Sequence, residues 1–320
     1  LCTSNLPDVA VIPSEHFNPI TYTGNASSSR SITGVGFQPD FVWAKGRNLT
    51  INHGLWDSVR GETKTLRSNS TLAETTDANA LTSFNSDGFT ANADTLLNGS
   101  YNYVAWNWKA GNATLGTGDF TQGSTASTCS RNVDAGFSIV SYTGNGSAGA
   151  TIGHGLSSIP EMIFLKSRTS SIAWGGQNAT TGATKNLFLN QTDAAESNIL
   201  YWNNTAPTTN VFSLGSSHVV NKSSDNYIAY CFHSVDGYSK VGSYVGNAND
   251  DGAFIYLGFR PAFVMVKKSD GTNSWWIIDN KRSPINKADE TLYPNLNYAE
   301  ETWGNFVDLL SNGFKTRYNH

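Results

Sequence analysis

One short pattern is written three times along the chain. Ile20-Thr-Tyr22-Thr-Gly24-Asn25 returns as Val140-Ser-Tyr142-Thr-Gly144-Asn145, and again as Gly242-Ser-Tyr244-Val-Gly246-Asn247. Downstream, Gly36-Phe-Gln-Pro39-Asp-Phe41-Val-Trp43-Ala-Lys45 matches a stretch through Pro160 to Lys166 and another through Pro261 to Lys267. Pro39, Pro160 and Pro261 stand 121 and 101 residues apart, and the three lysines keep the same spacing. Solenoid units run to about 20–50 residues, so this period belongs to whole small domains. Any function must suit a repeated, modular object.

Each copy follows one grammar of short strands and turns. An alternating strand such as Phe137-Ser-Ile139-Val-Ser-Tyr142 ends in a Gly-Asn turn. A proline follows, then an apolar run ending at lysine: Phe41 to Ala44, Met162 to Leu165, Phe263 to Val266. A strand with one wet face would alternate, so these three are expected to be core strands covered on both faces. The polar loops 71–79 and 192–198 each have room for a short helical turn. Asp87-Gly88 and Asn312-Gly313, set between apolar runs, carry the type I′ hairpin signal; the second copy departs from it at Leu214-Gly215-Ser216.

An aromatic strand closes the first two copies, at Tyr101 to Trp108 and Tyr227 to Phe232. The third copy has no such strand before His320, which would leave an unpaired edge; the full gene product is expected to continue past it. The organisation that follows is a linker from a preceding domain at 1–16, a first repeat at 17–111, a Gly/Ser/Thr linker at 112–134, a second repeat at 135–236 and a truncated third at 237–320. Six to eight short strands per copy, with no long 3.6-residue periodicity, predict an all-β chain of three tandem β-sandwich or jelly-roll-like domains.

Charged residues make up only 14% of the chain, against about 25% in an average soluble protein. Asn, Thr, Ser and Gly take their place, as in extracellular and virion proteins. A net charge of −4 without a Lys/Arg cluster argues against nucleic-acid binding. No apolar run approaches the roughly 18 residues that a membrane helix needs, so no membrane insertion is expected. Cys2, Cys129 and Cys231 lack metal-site spacing; Cys231 reads as a core residue, and a Cys2–Cys129 pairing stays open. No Walker or dinucleotide glycine motif, paired histidine motif or nucleophile triad is present, so no cofactor, metal or catalytic residue is expected. His154, in Gly153-His-Gly155, reads as a turn beside the core.

Two features remain as ligand candidates. Asp57 and Arg60 stand three apart beside Trp56, and the spacing returns as Asp279 and Arg282 beside Trp276. The simpler reading is a charge-assisted bond fixing a turn; the functional one is a polar handle beside an aromatic platform for a sugar. Trp202 and Asn203, in a polar loop-like stretch, form the second candidate. The eight glycan-binding candidates are therefore Trp56, Asp57, Arg60, Trp202, Asn203, Trp276, Asp279 and Arg282.

At the level of whole repeats the chain resembles a family of repeated β-domains in tail-fibre-like virion proteins of bacteriophages, especially phages of cyanobacteria and marine bacteria. The resemblance rests on Tyr142-Thr-Gly-Asn145, Asp57-Ser-Val-Arg60-Gly-Glu-Thr-Lys64, Phe84-Asn-Ser-Asp-Gly-Phe89, Tyr103-Val-Ala-Trp-Asn-Trp108, Tyr201-Trp-Asn-Asn-Thr-Ala-Pro207 and Gly258 to Lys267. It covers nearly the whole chain in order. The opening Leu1 to Pro7 is similar to the exit from a SPRY-like sandwich domain. What the resemblance implies is a structural or adhesive role on a virion surface appendage, with other virion proteins as partners. A homotrimer and a host cell-surface glycan are the further partners such a fibre would take. A purely architectural virion or decoration component, and a secreted carbohydrate-binding or glycan-degrading protein, are the alternatives.

Overall fold

The alternating and apolar runs become antiparallel strands in the computed structural model, which describes residues 11–317. Most of the expected linker at 1–16, with the Leu1 to Pro7 stretch, and half of any Cys2–Cys129 pairing lie outside them. A 3-10 turn, Pro13–Glu15, leads into the first copy. That copy holds β1 (Phe17–Thr23), β2 (Arg30–Thr33), β3 (Phe41–Gly46), β4 (Gly54–Asp57), β5 (Lys64–Thr65), β6 (Thr75–Thr76), β7 (Leu81–Asn85), β8 (Gly88–Ala91) and β9 (Asn102–Trp108). They form sheets in the orders β1-β9-β3-β4, β2-β8-β7 and β5-β6.

The second copy holds β10 (Ser127–Asn132), β11 (Phe137–Thr143), β12 (Ala150–Gly153), β13 (Met162–Ser167), β14 (Gly175–Asn178), β15 (Lys185–Asn186) and β16 (Glu196–Ser197). The one-turn helix α1 (Ile199–Trp202), β17 (Val211–Leu214), the one-turn helix α2 (His218–Asn221) and β18 (Asn226–Phe232) complete it. Its large sheet runs β10-β11-β18-β13-β14, with small sheets β12-β17 and β15-β16. The stretch read as a linker at 112–134 is thus in part a strand. Cys129, on β10, faces Val140 across the pairing, and its thiol is free and buried.

The third copy holds β19 (Phe254–Tyr256), β20 (Phe263–Val266), β21 (Trp276–Asp279), β22 (Ala288–Thr291), β23 (Glu301–Leu310) and β24 (Gly313–Thr316), in sheets β19-β24-β23-β22 and β20-β21. Among the described residues no helix is long and apolar enough to cross a membrane.

The repeated motifs occupy repeated registers. Phe41 pairs with Asp57 and Trp108, Met162 with Asn178 and Phe232, and Phe263 with Asp279. Tyr22 stacks on Tyr103 and Tyr142 on Tyr227, with ring centroids 5.4 and 5.2 Å apart. Copy-specific cores lie around Trp56 and Phe89, around Trp202 and Phe212, and around Ile278 and Leu309. A further core draws on all three copies, joining Phe41, Trp43 and Trp106 to Phe164, Trp174 and Tyr230 and to Trp275 and Ile277. Stacking of Phe41 on Tyr230, at 4.3 Å and 23°, crosses the boundary between the first two copies.

The covered-strand expectation is met by β3, buried throughout, and by β13, buried from Ile163 onward. It fails for β20, where Phe263, Met265 and Val266 are only half-buried, because among the described residues β20 is paired on one edge alone.

Both hairpins form, but the turn chemistry differs from the type I′ reading. Asn85 pairs with Gly88 and Leu310 with Gly313, so the two-residue loops are Ser86-Asp87 and Ser311-Asn312. Asp87 lies outside the positive-φ region; only Gly88 is there, at +142°. Each glycine opens the return strand where a Cβ would come within 2.1 Å of a backbone carbonyl, that of Ile32 or of Ile255. Close approach explains the glycines. The Asp87 carboxylate instead accepts from the Gly34 and Gly36 amides, at 3.1 and 2.6 Å, and those bonds hold its pKa below the usual carboxylate value. The helical turn expected at 192–198 forms just beyond it, as α1, and 71–79 holds β6 in place of a turn of helix.

Candidate functional site

Asp57 ends β4 and Asp279 ends β21, where the chain must turn back. In each case the carboxylate folds onto that turn. One Asp57 oxygen takes the Arg60 amide at 2.9 Å while the other pairs with the Arg60 guanidinium. Asp279 repeats this, with the Arg282 amide at 2.9 Å and Arg282 Nε at 2.5 Å. All four ionised side chains are buried. Each arginine also donates back to its own strand, Arg60 to the Leu55 carbonyl and Arg282 to that of Ile277, at 2.9 and 3.0 Å. Burial works against the Arg60 charge, but Asp57, Tyr230 and Glu74 outweigh it and raise its pKa. In the second copy Asn178 takes the aspartate position, accepting from the Thr180 amide at 2.8 Å, and Thr181 stands where the arginine would be.

The second carboxylate oxygen of each aspartate reaches another copy. Tyr230, from the second copy, donates its hydroxyl to Asp57 at 2.7 Å. Trp106, at the matching place in the first copy, donates its indole N–H to Asp279 at 2.9 Å, and the Arg282 guanidinium lies 5.6 Å from that ring.

Three further sets of contacts run round the copies in one cyclic sense. His53, Trp174 and Trp275 each precede the strand that pairs with an apolar core strand. Their ring nitrogens contact the carbonyls of Tyr293, Arg67 and Phe188, at 3.0, 2.9 and 3.0 Å, so first meets third, second meets first and third meets second. The amides of Glu300, Glu74 and Ala195 donate to the carbonyls of Arg47, Arg168 and Ser269, at 2.7, 2.9 and 2.8 Å. Side chains follow: Glu74 bridges Arg60 and Arg168, and Glu300 bridges Arg282 and Arg47. Sequence reasoning missed Glu74, Glu300, Arg47 and Arg168, while Arg60 and Arg282 were among its candidates. The signal was an arginine two residues beyond Lys45 and Lys166, replaced by Ser269 beyond Lys267.

The repeated lysines are inward-facing. Lys45 and Lys166 are fully buried, and each ammonium donates to backbone carbonyls of its own turn: Gly46 at 2.6 Å and Leu49 at 3.3 Å, Ser167 at 2.8 Å and Ser170 at 3.3 Å. Lys267 does the same with Lys268 and also reaches Thr192 of the second copy, at 2.6 and 3.1 Å. Burial brings all three pKa values down to about 8. Between that value and the usual 10.5 the unfolded chain binds more protons than the native one, so stability rises with pH. Two buried thiols work the other way: burial raises their pKa values, so their contribution to stability falls as pH rises through the usual thiol range. The expected net gain from pH 8 to pH 9 is about 1 kcal/mol, after allowing for screening at the more exposed Lys267. Denaturant unfolding at the two pH values checks it; in a K45M/K166M double variant the gain should shrink to near zero or reverse.

The remaining candidates divide. Trp56 is fully buried, its N–H donating to Thr65 Oγ1 at 2.9 Å. Trp202 is buried as well, because Asn198 caps α1 by accepting the Leu200 amide and Asn203 closes it in the left-handed region. Its indole N–H finds no partner among the described residues. Neither ring offers an open face for a sugar to stack on. Trp276 is half-buried, edge-on to Phe306 at 4.8 Å, and Asn203 is half-buried. The structure brings Asp57 with Arg60 and Asp279 with Arg282 into compact pairs, and it places Trp202 and Asn203 elsewhere. His154 is enclosed, bonded to the Leu156 amide at 3.1 Å and the Thr208 carbonyl at 3.0 Å, as its turn reading expects.

Chemically the acids are committed. Both aspartates carry an arginine and an aromatic donor, so neither is free to act as half of the facing carboxylate pair that glycoside hydrolysis uses. Among the described residues no group of three or more His, Cys, Asp or Glu is placed to hold a metal ion. A cleft of about 1470 Å³ opens beside β20, lined by residues of all three copies including Trp108, Tyr230 and Phe263. No curated protein and no solved structure matches the chain. One family model does, a domain of unknown function named DUF7483, and it runs through all three copies from residue 12 to residue 320. The chain belongs to the DUF7483 family.

Proposed function

We propose that the chain is a structural module of a bacteriophage tail fibre or comparable virion surface appendage, and that it contributes to host attachment by holding a distal surface at a fixed distance and orientation. Three sandwich-like modules, at 17–111, 135–236 and from 237 onward, are its building blocks. The observation that carries this reading is the commitment of Asp57 and Asp279 to aromatic donors from neighbouring copies. Residues that would have served a ligand instead lock one copy to the next. Rigid modules of this kind suit an appendage, where stiffness converts weak terminal contacts into multivalent attachment. The sequence resemblance to tail-fibre-like repeats supplies the virion context. In this reading the cyclic contacts give a single chain a threefold frame of its own, matched to the symmetry of fibres.

The test is immunogold electron microscopy with antibodies raised against the purified chain, applied to intact particles of a phage that encodes it. Label concentrated on tail or surface appendages is the expected result. Label absent from particles, or release of sugars from host surface polysaccharide by the purified chain, would overturn the proposal.

A further inference from the structure

The repeats differ at one sheet edge. Ile32, Ile152 and Ile255 share a register, each paired with a phenylalanine: Phe89, Phe212 and Phe314. Strand alternation turns the isoleucines toward the core and their neighbours outward. In the first copy the outward pair, on edge strand β2, is Ser31 and Thr33. In the second it is Thr151 and Gly153, and the edge of β12 is already covered there: Gly123 bridges Ile152, and the Thr125 amide donates to the Thr151 carbonyl at 3.1 Å. In the third copy the outward pair is Phe254 and Tyr256, 47% and 67% exposed, on β19, which is an edge strand among the described residues.

Phe254 and Tyr256 also present their backbone to that edge. The Leu257 amide donates to the Asn312 carbonyl and the Thr316 amide to that of Ala253, at 2.9 and 3.1 Å. Residues 253, 255 and 257 therefore bond toward β24, and by the alternation of an antiparallel ladder the N–H and C=O groups of 254 and 256 point away from it. Thr151, at the Phe254 register, uses its carbonyl in that direction to hold its covering segment. An edge strand with exposed aromatic side chains, and neither charge nor proline from Gly252 to Phe259, is a template for pairing with another chain.

We propose that β19 pairs with β19 of a second molecule of this chain, antiparallel about a twofold axis at Ile255, so that two four-stranded sheets merge into one. The sequence is complementary to itself in that register. Phe254 falls opposite Tyr256 of the partner molecule and Tyr256 opposite its Phe254, which gives two cross-strand aromatic pairs on one face. Both are hydrogen-bonded pairs, made by the backbone groups that face the edge. Charge follows the same symmetry. Asp250 and Arg260 lie equally far on either side of Ile255, both exposed and outside every ion pair among the described residues. Antiparallel pairing brings each Arg260 to the end where Asp250 of the partner molecule stands. Such exposed charges fix register more than they add affinity. That an acidic and a basic end are placed symmetrically about one isoleucine is what selects a second molecule of the same chain as the occupant. Association closes at two, because the pairing uses the same edge on both molecules. The interface is small and its affinity modest, and the dimer does not depend on the virion reading.

The test is sedimentation equilibrium of the purified chain at roughly 5–500 μM, with hydrogen exchange of individual amides followed by NMR over the same range. The expected result is a monomer–dimer equilibrium. The Phe254 and Tyr256 amides should exchange at least about tenfold more slowly as the dimer fills, while the Ile255 amide, directed at β24, stays unchanged. F254K/Y256K sets lysine against lysine on an exposed face and should weaken dimerisation at least about tenfold, with the melting temperature of dilute protein little altered. Arg260→Asp should weaken it about threefold or more, and D250R/R260D, which exchanges the two ends, should restore it. A chain that stays monomeric throughout, or self-association indifferent to F254K/Y256K, would overturn the proposal. Trimers, open-ended polymers, or an R260D loss that D250R/R260D fails to recover would overturn it as well, since each requires a different pairing.

Discussion

Asp279→Ala is expected to destabilise the chain by about 3–5 kcal/mol, the cost of stranding a buried charge. The variant leaves the Arg282 guanidinium, fully enclosed, with Glu300 and two carbonyls but without its closest counter-charge. It also orphans the Lys281 and Arg282 amides and the Trp106 N–H. Asp57→Ala should behave alike, stranding Arg60 and the Tyr230 hydroxyl. The pairs are weak evidence of net stabilisation as built, since desolvation offsets most of their attraction; the cost lies in breaking them one-sidedly. Asp279→Asn should lose less, because an asparagine already fills this position in the second copy at Asn178, where no arginine needs neutralising. Denaturant midpoints at constant m-value measure all three. Alanine variants within about 1 kcal/mol of the parent would show that the pairs are peripheral.

Phe41→Ala should cost about 3–5 kcal/mol, the range for emptying a buried aromatic site. Its ring lies against Tyr230 of the second copy and Trp108 of its own, at 4.3 and 5.1 Å, with Phe137 at 6.2 Å. A cavity there opens between two copies, so the loss should appear in probes of both. Phe263→Ala, the same register in the third copy, should cost only about 1–2 kcal/mol, because that ring is half-buried at an open edge. Equal losses at the two positions would mean that β20 is as well covered as β3, against the geometry.

The copies, their strands and the closing aromatic strands were legible in the sequence because strand periodicity and turn residues are local signals. The Asp-X-X-Arg turn was legible too, since both partners lie within one turn. What joins the copies was not. Tyr230 and Asp57 lie 173 residues apart, as do Trp106 and Asp279, and repetition says nothing about how repeats meet. Trp202 looked solvent-facing in its run of asparagines. Two of those asparagines, Asn198 and Asn203, cap a one-turn helix that turns the ring inward. Asp87-Gly88 carried the right residues for a positive-φ turn, yet the loop lies one position earlier and the glycine answers to a carbonyl across the sheet.

The central claim is that the recurring acids join copies together and do not hold a ligand. A double-mutant cycle pairing Asp57→Ala with Tyr230→Phe tests it most directly, since each change removes one end of the same bond. The account predicts a coupling of about 1.5–3 kcal/mol in unfolding free energy, the range for a hydrogen bond to a charged group. Additive losses, within about 0.3 kcal/mol, would contradict it.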